Sequence, residues 1–184
     1  APQGRSGKTT ITLGILSALT KRGILVQPFK KGPDYIDPSW HTKVTNNECR
    51  NLDCYMMDNQ ALKHSFIKGS RNAQISVVEG AMGLYDGLDL EGSGSTAQVA
   101  KIINAPVILV IDTRRMTRSV AAMVKGFVDF DSGITIAGVI LNQVARTRHE
   151  RMLRGAIEKY CNLPVIGCIP KDAGLTIPDR HLGL

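Results

Sequence analysis

At 184 residues, 43% of them apolar and 21% charged, the chain has the size and make-up of one soluble domain with a real core. Its formal net charge of +7 favours anionic partners, but the basic residues are scattered and the few aromatics are not interleaved with them, which argues against nucleic acid. The cysteines Cys49, Cys54, Cys161 and Cys168 form no CxxC pair, and no apolar run approaches the ~20 residues of a membrane span. A reduced, cytoplasmic setting with no membrane partner is the expectation.

The segment TTITLGILSALTKRG, residues 9–23, places Ile11, Ile15, Ala18 and Leu19 at helical spacing and stops at Gly23. ILVQPF, residues 24–29, reads as a short strand. FKKGPDYIDP, residues 29–38, reads as a loop stiffened by Pro33 and Pro38. A helix is expected between about residues 56 and 69, then a strand ISVVEG at 75–80 that ends in an acid and a glycine. GSTAQVAKIIN, residues 94–104, offers Ser and Thr near a helix N-cap. PVILVID, residues 106–112, is the near-continuous apolar run of a strand buried on both faces. A helix from about Ser119 to Phe130, a strand TIAGVILN at 135–142, an amphipathic helix RHERMLRGAIEKYC and a strand PVIGCIP at 164–170 complete the series. Strands alternating with helices predict an α/β fold, a mostly parallel sheet flanked by helices. No repeat, low-complexity tract or linker interrupts it, so residues 1–184 read as a single domain.

The strongest chemical signal is APQGRSGKTT at the start. A phosphate loop wraps phosphates with backbone N–H groups that glycines bring close, with a Lys on the β/γ oxygens and a Thr hydroxyl on Mg²⁺. Gly4, Gly7, Lys8 and Thr9 fit these roles, although the full pattern wants glycine where this chain has Pro2. The competing reading is a glycine-rich turn before a helix. The helix that follows without a gap, and the buried strands beyond it, favour the phosphate loop and a P-loop NTPase-like fold. Such a loop normally follows a strand, whereas this chain begins at Ala1, so the expectation is a fragment with its first strand cut away.

VVEGAMGLYDG, residues 77–87, puts Glu79 at a strand end, where a P-loop enzyme places an acid for Mg²⁺ or its water shell. Asp86 lies beyond a glycine-rich loop able to approach a ligand closely. The alternative for both is an ordinary strand-to-helix loop. In FKKGPDYIDP, Asp34 and Asp37 can ligate Mg²⁺ while Lys30 and Lys31 meet a substrate carboxylate. The alternative is a solvated turn whose charges pair with each other.

Taken together, APQGRSGKTT, FKKGPDYIDPSWH, RNLD, VVEGAMGLYDG and the terminal IPDRHLGL resemble the synthetase domain of cobyrinic acid a,c-diamide synthases. Nickel-sirohydrochlorin a,c-diamide synthases are similar in these motifs. Dethiobiotin synthetases share the fold and the phosphate loop without the other loops, and cobyric acid synthases are a nearer competitor. The resemblance implies an ATP- and Mg²⁺-dependent ligase. ATP phosphorylates a side-chain carboxylate of a tetrapyrrole, and ammonia displaces the phosphate to leave an amide at the a and c positions.

It further implies roles for particular residues. Gly4, Ser6, Gly7, Lys8, Thr9 and Thr10 would bind nucleotide. Thr9, Asp34 and Glu79 would hold the metal. Lys31, Tyr35, Ile36 and Asp37 would line the substrate side, and Asp86 would support the intermediate or the ammonia step. Family members normally continue into a C-terminal glutamine amidotransferase domain that supplies ammonia, and this chain stops at RHLGL, before it. None of the cysteines sits in a nucleophile-elbow context, so no glutaminase activity is expected here.

Other residues stay open at this point. Asn142 either reads adenine or caps the next segment. Arg114, Arg115 and Arg118 either face the polycarboxylate or form a solvated helix start. Cys49 and Cys54 near His41 hint at zinc, but their spacing matches no common closed site. His181 belongs to the terminal motif, with substrate contact one possibility. A homodimer is possible, and a non-catalytic P-loop switch is the remaining alternative. That class often carries an extra Lys early in the loop, where this chain has Gln3.

Overall fold

A computed structural model describes residues 1–175 and residue 177. Helix α1 (Lys8–Lys21) starts directly behind the glycine-rich segment, with Gly7 at its N-cap at φ 86. That left-handed geometry costs glycine little and other residues more. Strand β1 (Val26–Lys31) is buried along almost its whole length. It runs past the expected end at residue 29, because Lys30 and Lys31 stay in the ladder, Lys30 opposite Glu79 and Lys31 opposite Leu52.

The segment expected to be a loop is only partly one. Helix α2 (Ile36–Thr45) begins inside it. Asp34 Oδ1 accepts from the backbone N–H of Ile36 at 2.9 Å and of Asp37 at 3.4 Å, which turns the chain into the helix. Pro38 then sits in the first turn, where a missing N–H leaves nothing unpaired. Strand β2 (Arg50–Leu52) is a second addition, three residues long and too short to show an alternation.

The remaining elements follow the expected order. They are α3 (Asn59–Ser70), β3 (Ile75–Glu79), α4 (Thr96–Ile103), β4 (Val107–Asp112), α5 (Ser119–Asp129), β5 (Ile136–Val144), α6 (Thr147–Cys161), β6 (Val165–Pro170) and a 3₁₀ turn at Ala173–Leu175. The expected Ser caps α4, its Oγ accepting from Gln98 N–H at 3.1 Å. The terminal motif beyond Ile177, with His181, lies outside the described residues.

All strand pairs are parallel, and they form two sheets, β2-β1-β3 and β4-β5-β6. No ladder joins β3 to β4 among the described residues. Between the halves, buried Ala1 packs with Ile11, Val110 and Ile140, and its carbonyl accepts from Leu84 N–H at 2.8 Å. The larger apolar cluster unites β4 and β5 with α5 and α6, through residues such as Leu109, Val124, Leu141 and Ile157. A smaller one, Phe29, Leu52, Leu62 and Val99, ties β1 and β2 to α3 and α4. Rigid strands thus deliver their C-terminal ends to the same edge as the glycine-rich loop, where open α/β sheets bind ligands.

Candidate active site

That edge holds a cavity of about 770 Å³. Its walls are the glycine-rich loop with Lys8 and Thr9, the segment 30–34 after β1, the segment 79–82 after β3, and Arg114 beyond β4.

The glycine-rich loop is braced from behind. Asn142, near the end of β5, donates from Nδ2 to the Ser6 carbonyl at 3.0 Å, and its Oδ1 accepts from Gln143 N–H at 3.0 Å. A Cβ on Gly7 would collide with that amide nitrogen. Both ends of the Asn142 amide are therefore engaged, Nδ2 by the loop and Oδ1 by the next backbone N–H of β5. Ser6 is buried and its hydroxyl donates to the Gln3 carbonyl at 2.9 Å. Gly4 lies on the cavity wall, while half-buried Thr10 does not reach it.

Lys8 Nζ donates to the Gln3 carbonyl at 3.2 Å and to the Met82 carbonyl at 2.7 Å. Burial, and then the charge of Lys30, hold this ammonium below its ordinary pKa. The negative charge of an anion among these groups would offset both effects.

Below the loop lies a buried charge cluster centred on Lys30. Its Nζ is 2.7 Å from Asp37 Oδ2, 2.9 Å from Glu79 Oε1 and 3.8 Å from Asp34 Oδ2. Thr9 Oγ1 donates to Glu79 Oε1 at 2.6 Å and lies 3.4 Å from Asp37 Oδ2. On the far side, His41 Nε2 is 2.8 Å from Glu79 Oε2. The contact falls short of a full hydrogen bond, and among the described residues neither atom has a hydrogen-bond partner. His41 Nδ1 is 3.6 Å from Cys49 Sγ.

Burial pulls the Lys30 pKa down, but the Glu79 charge and the bonds to Asp37 and Glu79 outweigh it, so Lys30 stays above its ordinary value. Burial likewise pushes Glu79 up, and His41, Lys30 and Thr9 together hold it below the ordinary carboxylate value. The Cys49 thiol is pushed up to about 12, mainly by burial and then by the Glu79 charge, which rules it out as a thiolate nucleophile near neutral pH.

The oxygen donors of Thr9, Glu79 and Asp34 suit a hard cation. Among the described residues, no group of three or more His, Cys, Asp or Glu side chains is arranged to hold a metal ion. The donor set therefore fits Mg²⁺ carried in with nucleotide phosphates, with one or two protein carboxylates nearby, better than a closed protein cage. Lys30 occupies carboxylate oxygens that such an ion would also attract.

Other expected site residues sit away from the wall. Asp37 is buried behind it, on Lys30. Tyr35 is 65% exposed, and neither it nor Ile36 lines the cavity. Asp86 Oδ2 accepts from Gly83 N–H at 2.8 Å and so shapes the loop after β3 from outside the cavity. Lys31 and Asp34 do line it. Sequence reasoning overlooked the link from His41 to Glu79. The helix carrying His41 was itself unexpected, so no spacing pointed to it.

A family model described as the CobQ/CobB/MinD/ParA nucleotide binding domain, CbiA, matches residues 1–184. Over 184 residues the chain is 50% identical to the cobyrinate a,c-diamide synthase of Magnetococcus marinus, covering all of this chain and 39% of that protein. It is also 50% identical over 185 residues to the hydrogenobyrinate a,c-diamide synthase of Streptomyces coelicolor, covering all of this chain and 38% of that protein. The chain thus spans about two fifths of the length of the curated relatives it matches. Among solved structures, the MinD cell division protein of Aquifex aeolicus aligns over 95% of this chain and 81% of its own, with TM-score 0.60 and 19% identity. The hydrogenase maturation factor HypB of Archaeoglobus fulgidus aligns over 89% and 76%, with TM-score 0.58 and 9% identity. These structural likenesses speak to the P-loop NTPase-like fold alone. The chain belongs to the CobQ/CobB/MinD/ParA nucleotide-binding family, and along its whole length it is similar to part of the cobyrinate a,c-diamide synthases.

Proposed function

We propose that this chain is the synthetase part of an amide-forming ligase that converts the a and c side-chain carboxylates of a corrinoid or related tetrapyrrole into amides, using ATP. The observation that carries the reading is the single cavity shared by Lys8 of the glycine-rich loop, by Glu79 at the end of β3, and by Lys31 and Asp34 after β1.

A carboxylate is a poor acyl donor. A carboxylate oxygen attacks the γ-phosphorus of ATP and ADP leaves, giving an acyl phosphate; ammonia then attacks the carbonyl carbon, phosphate leaves with the C–O bonding pair, and the nitrogen gives up one proton to phosphate or water. Such chemistry needs positioning and charge neutralisation more than a protein nucleophile. The amides at the start of α1 and the Lys8 ammonium would bind the phosphates. Mg²⁺, when bound, would spread charge from the phosphate oxygens, with Thr9, Glu79 and Asp34 holding it directly or through water. Lys30 pairs with both buried carboxylates, Asp37 and Glu79, and together with His41 and Thr9 favours the ionised form of Glu79. Lys31 would face the incoming polyacid, and Asp86 would hold the loop after β3 for the ammonia step. The ammonia would come from glutamine, through a glutaminase domain of the full-length protein. The net charge of +7 suits a substrate with many carboxylates. No helix of the described residues is long and apolar enough to cross a membrane, which is compatible with a cytoplasmic enzyme.

The test is ATP- and ammonia-dependent amide formation by the full-length protein, with cobyrinic acid, nickel-sirohydrochlorin, or diaminopelargonic acid plus bicarbonate as acceptor. Amidation of cobyrinic acid supports the reading. Turnover with the last pair alone sinks it. Asp37→Asn should impair amidation more than nucleotide binding, and unchanged amidation would remove Asp37 from the assignment.

A further inference from the structure

The connection after β4 carries Arg114, Arg115 and Arg118, and of these Arg114 lines the cavity. Arg118 points elsewhere, its guanidinium 5.1 Å above the Tyr160 ring. Arg114 is fixed by the carboxylate at the strand end. Its Nε lies 3.0 Å from Asp112 Oδ1 and 2.8 Å from Oδ2, and its Nη2 lies 2.6 Å from Oδ2. The Arg114 backbone N–H also donates to Asp112 Oδ1 at 3.0 Å. One edge of the guanidinium is thus held, and Nη1 has no partner among the described residues.

The other cations of the cavity differ in this respect. Lys8 is bound to backbone carbonyls and Lys30 is enclosed by carboxylates. The Lys31 side chain enters no hydrogen bond or ion pair among the described residues, but it is a flexible point charge. Arg114 offers a planar, permanently charged donor fork with a fixed orientation. Its side chain is 63% exposed, so it stands toward the solvent side of the cavity rather than among the amides that begin α1.

We propose that Arg114 recognises a carboxylate of the polyacid substrate, one that is not itself being amidated, and so sets which side chain reaches the phosphoryl donor. This assignment rests on the functional reading above. A terminal nucleotide phosphate is the other oxyanion able to take the same fork, and the test separates the two.

Equilibrium binding of cobyrinic acid and of a non-hydrolysable ATP analogue is measured separately on the full-length protein, as wild type, Arg114→Gln and Arg114→Lys. Arg114→Gln should weaken cobyrinic acid binding by about tenfold or more, the scale of a lost charge-assisted hydrogen bond, with nucleotide binding changed less than about twofold. Arg114→Lys should recover only part of the loss, because an ammonium cannot present the fork. Loss confined to the nucleotide overturns the proposal in favour of a phosphate contact. Unchanged binding of both overturns it in favour of a solvated arginine paired with Asp112. If the wild type binds no cobyrinic acid, the functional reading fails and Arg114 with it. If the wild type binds and Arg114→Gln binds equally well, only the Arg114 assignment fails.

Discussion

His41 and Glu79 meet in the interior, Nε2 to Oε2 at 2.8 Å, with 0% and 1% of their side chains exposed. This contact fixes the carboxylate oxygen that faces away from Thr9 and Lys30. His41→Ala would leave that oxygen buried with no partner, a loss of about 1–3 kcal/mol. Urea unfolding near pH 7 should show a lower midpoint with an unchanged slope, and His41→Gln should restore part of it. A wild-type midpoint for His41→Ala would mean that the contact holds nothing in place.

Lys30 separates two carboxylates that would otherwise face each other, lying 2.7 Å from Asp37 and 2.9 Å from Glu79 with 6% of its side chain exposed. Removing one partner of a buried charge set is strongly destabilising, by about 3–5 kcal/mol. Lys30→Met should lose that much stability in urea. Lys30→Met with Asp37→Asn should regain part of it, because one of the stranded charges is gone. An additive double variant would show that Lys30 and Asp37 are not coupled.

These two relationships mark where sequence reading stopped. The glycine-rich loop, the alternation of strands and helices, and Glu79 at a strand end were legible, because each follows from local chemistry or from a period. Helix α2 was not. Two prolines disguised its start, and the Asp34 turn that nucleates it uses the acid read as a metal ligand. With α2 went His41, whose role depends on Glu79 at the end of β3. Lys30 read as a cation for a substrate carboxylate, or as part of a solvated turn, whereas the ladder carries it inward opposite Glu79 and onto the protein's own carboxylates. Asn142 was visible as a strand-end amide, but its hold on the Ser6 carbonyl bridges 136 residues of chain, and no local pattern reports that. The fold was thus readable because it is repetitive, and the site less so because it is assembled from strand ends far apart in sequence.

Gly7 and Asn142 give a direct test of loop bracing. Gly7→Ala places a Cβ at φ 86 and against the Asn142 amide, so both backbone and side chain oppose it. Nucleotide affinity should fall by more than about tenfold, an effect of over ~1.4 kcal/mol. Adding Asn142→Ala should recover only part, since the backbone strain remains. Asn142→Ala alone leaves the Ser6 carbonyl unpaired and should cost about 1–3 kcal/mol of stability. The ratio of its affinities for ATP and GTP should stay as in the wild type. A changed preference would assign Asn142 to the base rather than to the loop.

The pH dependence of stability should have two identifiable limbs. Glu79 is held below its ordinary value of 4.5, because His41, Lys30 and Thr9 outweigh burial. Its contribution is complete above about 4.5 and is lost as pH falls through the lower folded value. Cys49 moves the other way, from 9.0 to about 12, chiefly through burial. Its folded state prefers the neutral thiol, so that contribution is complete below 9.0 and is lost as pH rises toward about 12. Lys30, raised above 10.5, also keeps its contribution through neutral pH and loses it only in alkali. Urea midpoints measured across pH should therefore form a plateau through neutrality with a fall on each side. Cys49→Ala should make the alkaline limb shallower and leave the acid limb alone, because the thiol no longer titrates. In the wild type, alkylation of Cys49 near pH 8 should be slower than that of a free thiol, since almost none of it is thiolate. Fast labelling of Cys49 in the folded protein, or an alkaline limb unchanged by its removal, would place that thiol in a wetter setting than the one beside His41.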